Sequence, residues 1–128
     1  MANETPKNGT FCWNELITTD TAKAGDFYSS LIGWEKADMP GGSPYTLWKA
    51  DGKDAGGMMA RTPHMGDVPS HWMAYITVDD VDDLASKVAG LGGKVLCPPN
   101  DIPGVGRFTI IADPIGAAVG LITFPKDS

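Results

Sequence analysis

The strongest constraint on the fold is that the chain repeats itself. An alternating apolar stretch, an aspartate, a helical apolar stripe and a glycine occur twice. The shift between copies is 60 positions at four landmarks, which pair Leu16 with Ile76, Asp20 with Asp80, Gly33 with Gly93 and Gly56 with Gly116. A repeated unit of this kind buries one sheet face against its own helix and leaves the other face to be shared. The repeat therefore predicts two similar halves.

Each half is predicted to be a βαβββ module. Alternation predicts the first strand of each, the following aspartate caps a helix, and turn-forming residues separate three shorter strands. We expect an α+β fold in which the two modules form a curved, mostly antiparallel eight-stranded sheet with helices on its outer face. The predicted boundaries within one domain, 1–128, are module 1 at about 10–60, a linker at 61–70 and module 2 at about 71–124.

The helices and short strands can be placed more closely. The predicted helical stripes are Ala24, Phe27, Tyr28 and Leu31 in the first half and Val81, Leu84, Ala85, Val88 and Leu91 in the second. Short strands are expected near 34–37, 45–50, 56–60, 94–97, 107–112 and 117–123, with the sequence "PPNDIPGVG" as a long loop.

Composition excludes several kinds of partner. A formal charge of -6 repels phosphate backbones and anionic membranes, so we expect neither nucleic acid nor membrane as a partner. The start of the chain, "MANETPKNGT", has no apolar segment, and no long apolar run follows, which favours a cytoplasmic protein. Cys12 and Cys97 are interpreted as small buried residues and not as a disulfide or zinc site.

Several stretches resemble a known family. A strand ending at "TTD" or "VDD", a helix running into "FYSSLIGWE" and a closing "DPIGAAVGLITF" are similar to the vicinal oxygen chelate superfamily. That superfamily includes glyoxalase I, extradiol dioxygenases, fosfomycin resistance enzymes and bleomycin-binding proteins. The stretches "CWNELITTD", "GWE" and "AGGMM" most resemble its generic glyoxalase-like members. The resemblance covers nearly the whole chain, and it implies the fold more strongly than any one function.

The resemblance also implies where a metal would be held. Metal-dependent members use a first-strand ligand about seven residues before the capping aspartate and a last-strand glutamate in each half. These positions are Trp13, Met73, Gly120 and, by the repeat shift, Ala60. None of these side chains suits a divalent ion, so we expect no metal and no other cofactor. Trp13 would then be the wall of a binding cavity.

Glu15 is the leading candidate for chemistry. Alternation places it beside Trp13 and Ile17 on the inner face, where desolvation would raise its pKa and suit it to be a general base or a partner for a cation. It could instead form a structural pair, for example with Tyr75. A register error of two residues would leave a partial metal site at Glu15 with His71 or Tyr75.

Other candidates complete a predicted ligand-binding set. His71 has the parity to face inward at the strand's end, and His64 lies in the linker. Met58, Met59, Met65 and Met73 could form an adaptable surface or plain core. Arg107 could point inward to hold a carboxylate or pair with Glu15, or point outward as a solvated charge. The predicted set is Trp13, Glu15, Met58, His71, Met73, Tyr75 and Arg107.

These residues favour a binding protein. We expect a small organic molecule in the concave sheet face, without the usual divalent metal; resemblance to drug-sequestering members implies a cationic or hydrogen-bond-donating aromatic ligand. A homodimer is expected by analogy with relatives. The alternative is a lyase, isomerase or dioxygenase with an unorthodox metal site, or with Glu15 as a metal-free general base. A partner or regulatory module is a third possibility.

Overall fold

The computed structural model describes residues 7–38, 45–63, 67–102 and 105–125. Within these ranges it has two α-helices and eight strands, as the α+β prediction requires. The elements are β1 Phe11–Thr18, α1 Thr21–Ile32, β2 Glu35–Asp38, β3 Thr46–Ala50, β4 Lys53–Ala60, β5 His71–Thr77, α2 Val81–Val88, β6 Lys94–Ile102, β7 Gly106–Ala112 and β8 Ala118–Thr123. A short 3-10 turn, Ala89–Leu91, continues α2.

The eight strands belong to one mixed sheet in the order β2-β3-β4-β1-β5-β8-β7-β6. The pairs β1–β4 and β5–β8 are parallel. The pairs β2–β3, β3–β4, β6–β7 and β7–β8 are antiparallel, so the predicted mostly antiparallel sheet is confirmed. In the described part of the chain, neither helix is long and apolar enough to span a bilayer.

Both helices begin at the predicted aspartates. The side chain of Asp20 accepts a hydrogen bond from the Lys23 backbone N–H at 2.9 Å, and that of Asp80 accepts one from Asp83 at 3.1 Å. Each bond satisfies one of the amide groups that a helix start leaves without an intrahelical partner. Gly33 ends α1 with a left-handed φ of 88°, as the sequence predicts.

The described chain divides into two compact units. The first unit is Asn14–Met73, and the second unit is Met1–Trp13 together with Ala74–Ser128, as far as these are described. The predicted module boundaries and linker are not tested by this division and stay a prediction. Residues 64–66 of the linker, which include His64 and Met65, lie outside the described ranges.

Each unit has its own apolar core between sheet and helix. In the first unit, Leu16, Trp48 and Met58 are buried against Ala24, Tyr28, Trp34 and Ala55. In the second, Val78, Val81 and Leu121 are buried with Ile76, Leu84 and Ile111. Burying one large apolar side chain contributes roughly 1.5–3 kcal/mol, so these clusters fix which face of each strand turns toward the helix.

The predicted stripe of α1 is only half buried. Ala24 and Tyr28 pack on the core, but Phe27 and Leu31 are 56% and 67% exposed. In α2, Val81 and Val88 of the predicted stripe are buried, while Leu91, in the 3-10 turn that follows, is exposed. The 3.6-residue period predicts which side chains share one face of α1, but it does not show how many of them contact the core.

Two predictions about strands were wrong. The first concerns β6, which runs to Ile102 through Pro98 and Pro99, where a loop was expected. Prolines are tolerated there because β6 lies at one end of the sheet, where one side of the strand needs no N–H donors.

The second error concerns the register of the repeat. Leu16 pairs with Met58 in the first unit and Ile76 pairs with Leu121 in the second. The first strands keep the shift of 60, but the last strands are shifted by 63, from 58 to 121. Gly56 lies within β4 whereas Gly116 precedes β8, so these two glycines are not equivalent.

Candidate functional site

Glu15 is a buried carboxylate in the first unit. It lies in β1 with 5% of its surface exposed, and its Oε1 accepts a hydrogen bond of 2.8 Å from the Tyr45 hydroxyl. Its strand neighbour Leu16 faces the helix-side core, so alternation turns Glu15 to the opposite face of the sheet. This confirms the orientation that the sequence predicts.

A glycine makes the contact with Tyr45 possible. Gly57 in β4 pairs with Glu15, and a Cβ added at Gly57 would overlap the phenol oxygen of Tyr45. The ring of Tyr45 therefore passes over a backbone with no side chain to reach the carboxylate. Glycine inside a strand often marks such a close approach.

Tyr45 was not among the predicted site residues. It precedes β3 and is 30 positions from Glu15, a separation that no local period reports. The available signal was "AGGMM", whose two glycines lie inside a strand and imply that another group approaches the backbone.

The second unit has a related arrangement, in which the tyrosine belongs to the first strand of the unit. Tyr75 in β5 pairs with Gly120 in β8, and a Cβ at Gly120 would overlap the Tyr75 ring. Tyr75 is 5% exposed, and its ring meets Phe108 edge-on at a centroid distance of 6.5 Å. Each unit thus has a tyrosine ring over a glycine of its last strand.

The corrected register changes one of the implied metal positions. Gly57 pairs with Glu15 as Gly120 pairs with Tyr75, so the counterpart of Gly120 is Gly57, and the earlier choice of Ala60 was wrong. The reason is that the chain between first and last strand is three residues longer in the second unit. The positions that the resemblance assigns to ligands are therefore Trp13, Gly57, Met73 and Gly120.

These four residues do not fit a divalent metal. Two have no side-chain donor, and indole and thioether are not ligands for a hard or borderline divalent ion. Across the described ranges, no three His, Cys, Asp or Glu side chains form a group that could hold a metal. The partial site at Glu15 and His71 stays an untested alternative.

Met58 was assigned to the wrong face. It is 1% exposed and belongs to the core with Leu16 and Trp48, on the helix side of the sheet. Its pairing with Leu16 fixes this, since paired residues on neighbouring strands project to the same face. Met58 cannot line the face that carries Glu15.

Arg107 forms a different ion pair from the inward one expected. Its Nε and one terminal nitrogen donate to the two carboxylate oxygens of Asp82 at 2.8 and 3.0 Å, and the other nitrogen donates to Asp101 at 3.1 Å. These bonds lower the pKa of Asp82 and raise that of Arg107. The guanidinium is held by α2 and β6, which corrects the prediction that it faces the ligand or Glu15.

The remaining predicted residues occupy the strands as expected. His71 is half-buried, with its Nδ1 2.8 Å from the Pro69 carbonyl oxygen, and Met73 is 4% exposed. Trp13 is half-buried in β1. Whether any of them contacts a ligand stays a prediction.

Two of the surface clefts among the described residues lie within single units. One of about 480 Å³ in the second unit surrounds Arg107 and Phe124. Another of about 220 Å³ in the first unit lies between Thr21, Lys36 and Thr46. Neither is lined by Glu15 or Tyr45.

The order of elements, with a parallel pair of first and last strands in each half, defines the vicinal-oxygen-chelate class of folds. The sequence profile of the Glyoxalase/Bleomycin resistance protein/Dioxygenase superfamily matches residues 11–121. The chain belongs to this superfamily.

Two relatives are similar to this chain in sequence. "Putative glyoxylase CFP32" of Mycobacterium tuberculosis (strain CDC 1551 / Oshkosh) is 41% identical over 124 residues, which are 95% of this chain and 46% of CFP32. Anthracycline biosynthesis protein DnrV of Streptomyces peucetius is 35% identical over 127 residues, 86% of this chain and 45% of DnrV. The chain spans about half the length of these relatives.

A solved structure shows the same fold. Methylmalonyl-CoA epimerase from Mycobacterium tuberculosis superposes with a TM-score of 0.60 at 12% identity, covering 97% of this chain and 95% of the epimerase. At that identity the likeness concerns the fold and not the reaction.

Proposed function

We propose that this chain binds a small organic molecule at the sheet face that carries Glu15, without a divalent metal at the superfamily's ligand positions. The observation that carries the proposal is the buried Glu15 carboxylate hydrogen-bonded to Tyr45. Within the same unit, the wall would also include the predicted residues Met73 and His71.

The fold does not require a carboxylate at this place. Tyr75 holds the equivalent position in the second unit and packs there on Gly120. Burying a carboxylate costs free energy unless other groups compensate it. A costly group at a position that also accepts a tyrosine supports a binding role for Glu15.

The relatives support an aromatic ligand. DnrV is named for anthracycline biosynthesis, and an anthracycline contains fused aromatic rings. A face that offers the Tyr45 ring beside an anionic group suits an aromatic ring with a donor or a cation.

An enzymatic role is the second candidate, because Glu15 is buried next to a phenol and CFP32 is named as a glyoxylase. In this alternative Glu15 is a general base that removes a proton from the bound molecule. Turnover of a bound compound that stops in Glu15→Gln, while binding persists, would favour this role.

We propose a homodimer in the cytoplasm as the working state. Phe27, Leu31, Ile32 and Trp72 of the first unit are exposed apolar side chains, which support association of two chains. Sedimentation of Phe27→Lys beside the unchanged chain tests the dimer, and cell fractionation tests the location.

The binding proposal is tested by titrating a panel of planar aromatic compounds in the presence and absence of EDTA. We expect saturable binding of at least one compound, one per chain, that EDTA leaves unchanged and Glu15→Gln weakens. Exposed Glu35 supplies the matched control, since Glu35→Gln removes the same charge at the surface. Binding that EDTA abolishes would contradict the proposal.

A further inference from the structure

We infer that Asn8 is a site of spontaneous deamidation, and that a hydrogen-bonded contact within the second unit controls the reaction. The inference goes beyond the proposed ligand function and involves no ligand. Asn8 is followed directly by Gly9, and both residues are exposed. Asparagine is thermolabile, and it reacts fastest before a glycine, because no side chain hinders the attacking backbone nitrogen.

The reaction needs only these two residues and water. The backbone nitrogen of Gly9 attacks the side-chain carbonyl carbon of Asn8 and forms a new C–N bond. The Asn8 amide nitrogen leaves as ammonia with the proton that the Gly9 nitrogen gives up. Water then opens the cyclic imide at either carbonyl, which yields aspartate or isoaspartate. In isoaspartate the backbone continues through the former side chain.

Both reacting groups are held by hydrogen bonds to the end of β5 and the residues after it. The Asn8 Oδ1 accepts a hydrogen bond from the Asp79 backbone N–H at 2.9 Å. The Gly9 N–H donates to the Thr77 carbonyl oxygen at 2.7 Å. The attacking nitrogen therefore has its proton committed, and the attacked amide belongs to a side chain that is held. Both bonds must open before the reaction can proceed.

This contact is small enough to open while the rest of the unit stays folded. One further backbone hydrogen bond, from the Thr77 N–H to the Thr10 carbonyl oxygen at 2.9 Å, belongs to it. Exposed segments held by few hydrogen bonds open with free energies well below that of global unfolding. A group that reacts only in the open form is slowed by the fraction of time that it is open. The deamidation rate of Asn8 therefore reports how often residues 8–10 leave residues 77–79.

The main consequence follows from the isoaspartate product. It adds a methylene to the backbone before Gly9 and shortens the side chain of residue 8, so the segment loses its register with Thr77 and Asp79. The aspartate product keeps the backbone but adds a carboxylate beside Asp79 and Asp80. Conversion to isoaspartate is thus an irreversible release of this contact.

The test compares the whole chain with a synthetic peptide of residues 5–11, which contains the same pair and is too short to fold. Both are kept at neutral pH, and mass spectrometry follows the conversion of the Asn8 amide to acid and isoaspartate. We expect the whole chain to react at least about tenfold more slowly, the scale of one or two hydrogen bonds of ordinary net strength. Equal rates would overturn the inference.

Two variants at one position separate the hydrogen bond from side-chain effects. Asp79→Pro removes the backbone N–H that holds the Asn8 side chain, so we expect deamidation several-fold faster than in the unchanged chain. Asp79→Ala removes the same carboxylate but keeps that N–H, and its rate should equal that of the unchanged chain. Equal rates in folded Asp79→Pro and Asp79→Ala would refute the role of this bond.

Hydrogen exchange of the unchanged chain decides the case in which Asp79→Pro does not fold. The exchange rates of the Gly9 and Asp79 amide protons give the open fraction of the contact directly. We expect both amides to be protected by the same factor that slows deamidation relative to the peptide. Unprotected amides, or a protection that differs from that factor by more than about tenfold, would contradict control by this contact.

Discussion

In both units a tyrosine ring covers a glycine of the last strand, but the tyrosine comes from a different part of each unit. In the second unit, Tyr75 of the first strand fills the space above Gly120 of the last strand. In the first unit, the tyrosine over Gly57 comes from Tyr45, just before β3. In the first unit, the first-strand position equivalent to Tyr75 therefore does not have to be a tyrosine, and it is occupied by Glu15.

This difference separates structure from function. A tyrosine over the glycine is common to both units and belongs to the packing of the sheet. The carboxylate occurs in one unit only, where a second hydrogen-bonding group accompanies it. The carboxylate at Glu15 is therefore not explained by the packing that the two units share, whereas the tyrosine over the glycine is.

The largest expected effect contrasts the two glycines. In Gly120→Ala the new methyl meets the base of the Tyr75 ring, which cannot swing away, so we expect a loss of about 3 kcal/mol, the upper range for overpacking. In Gly57→Ala the methyl meets the far end of Tyr45, and we expect about half of that. Urea unfolding measures the loss of unfolding free energy in both variants. A greater loss in Gly57→Ala than in Gly120→Ala would contradict this expectation.

A smaller effect is expected for Tyr45→Phe. The ring can stay over Gly57, but the hydrogen bond to a buried carboxylate is lost, which typically costs about 1.5 kcal/mol. Thermal unfolding measures the loss. Stability equal to that of the unchanged chain would show that the bond contributes nothing to the fold.

Glu15→Gln tests whether the Glu15 carboxylate contributes to the stability of the fold. Glutamine keeps the shape and can accept the phenol's hydrogen bond while removing a buried charge, so we expect stability to change by less than about 0.5 kcal/mol or to rise. Urea unfolding measures this change. A loss several times larger would make Glu15 a structural residue like Tyr75.

The smallest effect concerns the turns before the last strands. Asp113 accepts hydrogen bonds from the backbone N–H groups of Ala117 and Ile115, and these lower its pKa. A lowered pKa gives stability that is present above the unfolded pKa and lost as pH falls through the folded one. The other turn uses Asp51 and Gly52 in left-handed conformations instead.

Asp113→Asn should therefore lower stability slightly at neutral pH and flatten the acid end of the stability curve, so that the variant and the unchanged chain converge as pH falls. Unfolding curves recorded between neutral pH and the acid limit of folding measure this. If the slope of stability against pH is unaltered at the acid end, the Asp113 carboxylate does not stabilise this turn.

The fold was readable from the sequence because its signals are local. Asp20 and Asp80 cap helices through residues three positions away, and Gly33 adopts the left-handed turn that its position predicts. The first-strand repeat also held. These features depend on chain neighbours, which the sequence gives directly.

The site was only partly readable because its contacts are not local. Glu15 was placed on its face by alternation, but the bond from Tyr45 depends on β3 and β4 being paired. Met58 was misplaced because its face follows from the register with Leu16. Arg107 was misassigned because Asp82 and Asp101 approach it only after folding.

The proposed absence of a divalent metal at Trp13, Gly57, Met73 and Gly120 can be tested directly. The most direct test is the metal content of the chain purified without chelator or affinity tag, measured by elemental mass spectrometry beside Glu15→Gln and His71→Ala. We expect far less than one ion per chain in all three proteins. One ion per chain in the unchanged protein, lost in either variant, would contradict this expectation.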